Sequence, residues 1–308
     1  MSALRAELDR YLAIRRAVGF KLARAELLLA DFLRYLDAIG ADTITTENAI
    51  AWASLPATGA SSWWGQRLSV VRAFARHLHA IDPVHEVPPT GLLPTRSHRA
   101  VPYLYSDADI AALLAAARQL RSPLRAATFE TLVGLLAVSG LRIGEALRLG
   151  RDDVDLDGGV LRVRETKFGK SREVPLHPST VDALAAYGHR RDRLCPRPRD
   201  LSLFVSTAGT RLRYDNTHLT WLGLVRRAGL EPRSPGCRPR PHDLRHSFAV
   251  RTLLGWYRDG ADAGVCMPLL STYLGHVHPA NTYWYLSAAP ELLSLVAARL
   301  DAAAEQQR

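Results

Sequence analysis

The stretch His242-Asp-Leu-Arg245-His246, with Leu274-Gly-His276 beyond it and Tyr285 nine residues further on, decides how this chain is read. Far upstream, Gly140-Leu-Arg142-Ile-Gly-Glu145 stands apart and supplies a second arginine. Together these pieces hold guanidinium groups, imidazoles and a phenol. A phosphodiester attacked by a tyrosine needs groups of these kinds. Paired N–H donors from arginine hold the non-bridging oxygens and stabilise the extra negative charge of a pentacovalent transition state. Histidines move protons near neutral pH.

The composition fits an anionic partner. At 308 residues the chain has room for two domains, and 47% apolar with 23% charged residues describe a folded globular protein rather than a disordered one. A formal net charge of +10 favours polyanions, nucleic acid first and an anionic membrane surface second. Only Lys21, Lys167 and Lys170 among the 40 basic residues are lysines, and two of the three share one short segment, Thr166-Lys167-Phe-Gly-Lys170. An ammonium can give up a proton where a guanidinium cannot. Cys195, Cys237 and Cys266 are isolated and odd in number, which argues against a zinc cluster or a disulfide framework and for a reducing, cytoplasmic setting. The first ten residues thread charges through their apolar positions and do not read as a secretory signal. No uninterrupted apolar run reaches about 18 residues, so no membrane span is expected.

Hydrophobic spacing places four helices before residue 80. Leu4, Leu8, Tyr11 and Leu12 form one stripe; Leu28, Leu29, Phe32, Leu33 and Leu36 form a second. A third helix begins near Thr45, and a fourth carries Leu68, Val71, Phe74, Ala75 and Leu78 on one face. Between those stripes Arg67, Arg72 and Arg76 read as exposed, able to line a phosphate backbone but more commonly explained as a solvated helix face. Residues 83–104, with five prolines and Arg96, His98 and Arg99, read as an extended basic linker. The expected domains are therefore 1–82, the linker, and 105–308. In the second domain Ser106 and Ser122-Pro123 signal helix starts, the latter helix running to Gly140. Val160–Thr166 and Ser171–Leu176 flank Phe168-Gly169 as a β-hairpin with Lys167 at its tip, and Leu203-Phe-Val-Ser reads as a further strand. Segments 179–190, 215–228, 243–255, 268–274 and 290–304 read as helices. The fold class is mainly α with a small antiparallel sheet.

Four pieces in order resemble the tyrosine recombinases of the phage-integrase type: Gly140-Leu-Arg142-x-x-Glu145-Ala-Leu, the Lys167 hairpin ending in Val174-Pro-Leu, His242-x-x-Arg245-His, and Leu274-Gly-His276 with Tyr285. The resemblance covers nearly the whole chain. It implies a SAM-like four-helix core-binding domain ahead of a mixed, mostly α catalytic domain, the two gripping a DNA duplex as a C-shaped clamp. It implies that Arg142 and Arg245 clamp the scissile phosphate while His242 and His276 add hydrogen bonds and help deprotonate the nucleophile. Lys167 would protonate the departing 5′-oxygen, and Tyr285 would attack phosphorus to leave a 3′-phosphotyrosine. Glu145, Asp243 and His246 would support these groups. Neither ATP, metal nor other cofactor is implied, because the phosphotyrosine conserves bond energy and the positive charge comes from side chains. Double-stranded DNA is the expected partner, with a homotetramer on two duplexes and no membrane association. The ending Thr-Tyr-Trp-Tyr looks like integrases and transposases of bacterial mobile elements.

Tyr283 rivals Tyr285: on a helix the two phenols stand about 200° apart, so only one faces the phosphate. The interval from Gly275-His276 usual in the family selects Tyr285. Asp153-Val-Asp155-Leu-Asp157-Gly158 imitates a calcium loop but has Arg164 where the twelfth position needs a carboxylate, and reads as a turn entering the hairpin. Arg190 to Arg199 reads as a solvated loop or a nucleic-acid strap. Gly255 to Gly264 reads as a long connection inside the site segment, and Leu292, Leu293, Val296 and Leu300 as a face that docks on a neighbouring protomer or packs in cis. Two other functions remain open at this point: type IB topoisomerase-like relaxation through the same chemistry, and a DNA-binding accessory protein that does not cleave.

Overall fold

The computed structural model describes residues 3–55, 61–94, 101–164, 171–276 and Thr282. The chain divides into two compact units, 1–99 and 100–308.

The first unit is four helices: α1 (Ala3–Ala17), α2 (Ala23–Ala38), α3 (Thr46–Ser54) and α4 (Ser61–His79). Their apolar stripes meet in one core of Leu8, Leu29, Phe32, Trp52, Leu68 and Phe74. Thr45 starts α3 through a reciprocal cap: its hydroxyl accepts from the Asn48 N–H while its own N–H donates to the Asn48 side chain. The bounds of the expected 83–104 linker change here, while its basic part, 95–100, lies outside the described residues. Residues 83–94 fold back on this unit, where the Ile44 N–H donates to the His85 ring at 3.1 Å and the Glu86 N–H to the Ile44 carbonyl at 2.7 Å. Residues 101–105 belong to the second unit, with Tyr103 and Tyr105 in its core.

In the second unit α6 (Pro123–Ser139) is the central post. Ser122 caps its start, Pro123 fits the first turn, and the helix is apolar nearly all round because α5 (Asp107–Arg118), α8 (Pro178–Leu194) and α10 (Asp243–Arg258) all pack on it. A short helix α7 (Ile143–Arg148) follows, then an antiparallel sheet in the order β1 (Val154–Asp155), β2 (Val160–Val163), β3 (Arg172–Pro175). β2 and β3 pair from Val160↔Pro175 to Val163↔Arg172, so they form the expected hairpin; its tip, 165–170, lies outside the described residues. The acidic run before it makes the turn: the Gly158 N–H and Arg162 both donate to Asp155, and Arg164 pairs with Asp153.

Three expectations change. Leu203–Ser206 forms no strand: Leu203, Phe204 and Val205 are buried, but this stretch contributes only isolated bridges, such as Val205↔Arg211. The Arg190–Arg199 stretch begins inside α8, where Arg191 is buried. α10 runs on to Arg258 and α11 (Ala263–Leu274) starts soon after, so the supposed long connection shrinks to 259–262. Trp256 and Tyr257 pack on the α10–α11 core, which is why the helix extends that far. α9 (Tyr214–Arg227) packs on α5, and segment 290–304 lies outside the described residues.

Candidate active site

The site is built on the end of α11. Gly275 stops that helix in the left-handed conformation (φ 66°), a region that costs glycine nothing. The last carbonyls of a helix have no partner within it and carry the negative end of its dipole. Here three successive carbonyls each receive a different arginine. Arg172 Nε donates to Tyr273 O at 2.9 Å, Arg245 Nη2 to Leu274 O at 2.7 Å, and Arg142 Nη2 to Gly275 O at 3.2 Å.

A second helix end adds to this. Gly140 closes α6 with φ 59°, and its carbonyl accepts from Arg245 Nη1 at 2.7 Å. A Cβ at Gly140 would lie 2.5 Å from the Phe248 ring, so close packing as well as backbone conformation requires glycine there. Arg142 caps the start of α7, its N–H donating to Glu145 Oε2 at 3.0 Å and its Nη1 to Oε1 at 2.7 Å. Arg172 clasps the same carboxylate as a fork, Nη1 to Oε1 at 3.2 Å and Nη2 to Oε2 at 2.8 Å. Burial, the largest single influence, would raise the Glu145 pKa, but Arg172 and then Arg142 together bring it down to about 2. Three guanidiniums against one carboxylate leave two positive charges in the cluster.

His276 stands beside this excess charge. Burial first, then Arg245, Arg142, Arg172 and His242, press its pKa down to about 3, so the imidazole is neutral at pH 7. Its Nδ1 lies 2.7 Å from the Thr282 hydroxyl. His242, exposed at the start of α10, meets His246 edge to face with ring centroids 4.8 Å apart. Behind them the buried Asp243 takes a fork from Arg240 at 2.9 Å on each oxygen, while Ser247 Oγ accepts from the Tyr105 N–H and donates to the Asp243 carbonyl. Burial raises the Asp243 pKa against the pull of Arg240. This network fixes the helix that presents His242 and Arg245.

The structure thus brings Arg142, Glu145, Arg245, His242 and His276 together, with Asp243 and His246 behind them. Lys167, Tyr285 and the rival Tyr283 lie outside the described residues, as do Arg96 and Arg99. Two expected DNA-contacting residues are corrected. Arg67 is 7% exposed, stacked 3.7 Å from the Trp52 ring and donating to its carbonyl; Arg72 is 9% exposed and donates to Pro88 O and Pro89 O, each at 2.7 Å. Both guanidiniums hold the unit's own chain. Arg76 is exposed as expected. Sequence reasoning missed Arg172. The available signal is its register, since it shares a face of β3 with the buried Val174 and so puts a charge where the strand turns inward. Among the described residues no group of three or more His, Cys, Asp or Glu is placed to hold a metal ion.

Residues 104–291 match the phage integrase family. The chain belongs to this family. A curated relative from Sinorhizobium fredii, "Putative integrase/recombinase y4rB", is 47% identical over 307 residues, covering 98% of each chain. The tyrosine recombinase XerC of Azotobacter vinelandii is 31% identical over 218 residues, 71% of this chain and 67% of that one. Among solved structures, the lambda integrase tetramer bound to a Holliday junction shares the integrase fold, with a TM-score of 0.60 at 19% identity, covering 92% of this chain and 76% of that one. No described helix of this integrase-family chain is long and apolar enough to cross a membrane.

Proposed function

We propose that this chain is a site-specific DNA recombinase that cuts and rejoins strands through Tyr285. The observation that carries the reading is the convergence of Arg142, Arg172 and Arg245 on successive α11 carbonyls around a single carboxylate, with His276 and His242 beside them. An excess of two positive charges held by fixed carbonyls is organised before any anion arrives, as stabilisation of a developing phosphorane requires.

In the proposed reaction Arg142 and Arg245 neutralise the non-bridging oxygens of the scissile phosphate. The Tyr285 oxygen bonds to phosphorus, and the bond from phosphorus to the 5′-oxygen breaks. Lys167 gives that oxygen its proton, leaving a 3′-phosphotyrosine and a 5′-hydroxyl. Attack by the 5′-hydroxyl of a partner strand reverses the step. His276, neutral in the free protein, is able to accept a hydrogen bond or a proton from the nucleophile; the phosphate's negative charge would raise its pKa by offsetting the guanidiniums. Glu145, Asp243 and His246 hold these groups in place.

The helical unit, residues 1–99, binds the flanking duplex, with Arg76, Arg96 and Arg99 on the phosphate backbone. Strand exchange involves two duplexes and four active sites, so the working form is a homotetramer on DNA in the cytoplasm; the tetrameric lambda integrase complex supports this reading. Integration, transposition and resolution of chromosome dimers are all tasks that this chemistry serves.

The test is incubation with nicked suicide duplexes drawn from candidate element ends, scored for a covalent protein–DNA band. Tyr285→Phe is expected to abolish the band and Tyr283→Phe to keep it. The reverse pattern transfers the nucleophile to Tyr283.

A further inference from the structure

Arg172 has committed all three of its nitrogens, and three of its five N–H donors, within the protein. Its Nε is on Tyr273 O, and its two terminal nitrogens are on the two oxygens of Glu145, so in this arrangement it has no fork left for a phosphate. Its side chain is 13% exposed, against 33% for Arg142. Glu145, at 2%, has almost no contact with solvent that could screen its charge. A buried carboxylate left with one cationic partner would draw that partner wholly into its own neutralisation. Arg142 is that partner, through Nη1 at 2.7 Å. The site is also shaped around Arg172, for a Cβ on Gly275 would fall 2.9 Å from its Nη1.

We propose that Arg172 is a positioning residue: by neutralising Glu145 and tying it to the end of α11, it frees the charge of Arg142 for the scissile phosphate. The carboxylate and Arg172 cancel, and Arg142 and Arg245 remain as the two uncompensated charges; Arg142, a third exposed, has the surface for direct contact, while Arg245, 1% exposed with Nη1 and Nη2 on Gly140 O and Leu274 O, adds its charge from behind. Glu145 still orients Arg142 by geometry while Arg172 absorbs its charge. The inference rests on the proposed strand-cleavage reading.

The test compares Arg172→Met, Arg142→Ala and the full-length parent on suicide duplexes with three scissile linkages. One is the ordinary phosphate. The second is a methylphosphonate, which lacks one non-bridging charge, and the third is a 5′-bridging phosphorothiolate, which leaves without a general acid. Arg172→Met is expected to slow cleavage of the phosphate by ~10²-fold. The methylphosphonate should close most of that gap for both Arg172→Met and Arg142→Ala, while the phosphorothiolate should not. Adding Glu145→Gln to Arg172→Met removes the carboxylate that captures Arg142 and should recover cleavage relative to Arg172→Met alone, with folding of each variant followed by thermal melting. Equal defects on all three linkages, rescue by the phosphorothiolate alone, or a double variant no better than the single one overturns the inference. If Arg142→Ala is rescued and Arg172→Met is not, only this inference fails. If the parent forms no covalent band, the strand-cleavage reading falls with it.

Discussion

Arg67 and Arg72 in the helical unit, and Arg142, Arg172 and Arg245 in the catalytic unit, all donate to main-chain carbonyls, yet only the second set gathers more positive charge than the carboxylate beside it cancels. In the helical unit each charge is disposed of separately. Arg67 lies over Trp52 with Asp31 3.6 Å away, and Arg72 closes on Pro88 and Pro89; burial, the largest influence on each, lowers both pKa values. In the catalytic unit the charges converge on one helix end, outnumber the nearby carboxylate, and leave Arg142 a third exposed. Burial and hydrogen bonding do not separate a structural arginine from a phosphate-binding one. Convergence with uncompensated charge does.

The largest expected effect sets the two groups against each other. Arg142→Ala should lose ~10²–10³-fold in formation of the covalent DNA complex even in protein that is fully folded at the assay temperature. Arg67→Ala should do the opposite, losing about 1–3 kcal/mol of stability while the folded protein cleaves at the parental rate. Cleavage assays below the melting transition, alongside thermal melts, decide the matter. An Arg67→Ala protein that is folded yet inert would break the comparison.

Acid should expose the catalytic cluster next. The Glu145 pKa, about 2 in the folded chain against 4.5 when unperturbed, gives stabilisation fully present above pH 4.5 and lost as pH falls towards 2. Its size is on the order of 3 kcal/mol. His276 is also depressed, from 6.5 to about 3, so the folded state resists its protonation and stability already declines as pH drops below 6.5. Two overlapping losses are therefore expected in denaturant titrations of the DNA-free protein, the first starting below pH 6.5 and the second below 4.5. His276→Gln should flatten the curve between pH 6.5 and 4.5, and Glu145→Gln should make the loss below 4.5 shallower, with the His276 contribution continuing to about pH 3. A parent whose stability is level from pH 6.5 to 4.5 would contradict the placement of His276 among the three guanidiniums.

The same contrast explains what could be read from sequence. Arg142, Glu145, His242, Arg245 and His276 sit in spaced motifs at helix ends, where residue type and interval carry the chemistry. The four helical stripes and the hairpin likewise follow from periods of 3.6 and 2. Arg172 escaped because a strand residue followed by Glu173 looks like surface charge until the pairing of β3 shows that it shares the face of Val174. Arg67 and Arg72 misled in the other direction. Their partners are carbonyls at Trp52, Pro88 and Pro89, and a backbone acceptor has no signature in the sequence. The prolines of 83–94 suggested a spacer, although two of their carbonyls serve as the anchor for Arg72.

Arg76 is the smallest test of the contrast. It lies one turn beyond Arg72 and is exposed, and its charge adds to the lowering of the Arg72 pKa. A guanidinium beside a buried like charge, with no carbonyl or carboxylate partner among the described residues, is open to an outside partner, which a duplex backbone would supply. Arg76→Gln should then weaken binding about equally for any duplex sequence and reduce the slope of log affinity against log salt by about 0.9, the counterion released at one phosphate. Fluorescence anisotropy over a range of salt concentrations reads this directly. An unchanged slope would place Arg76 on a solvated helix face, leaving the helical unit's contribution to DNA binding to other cations.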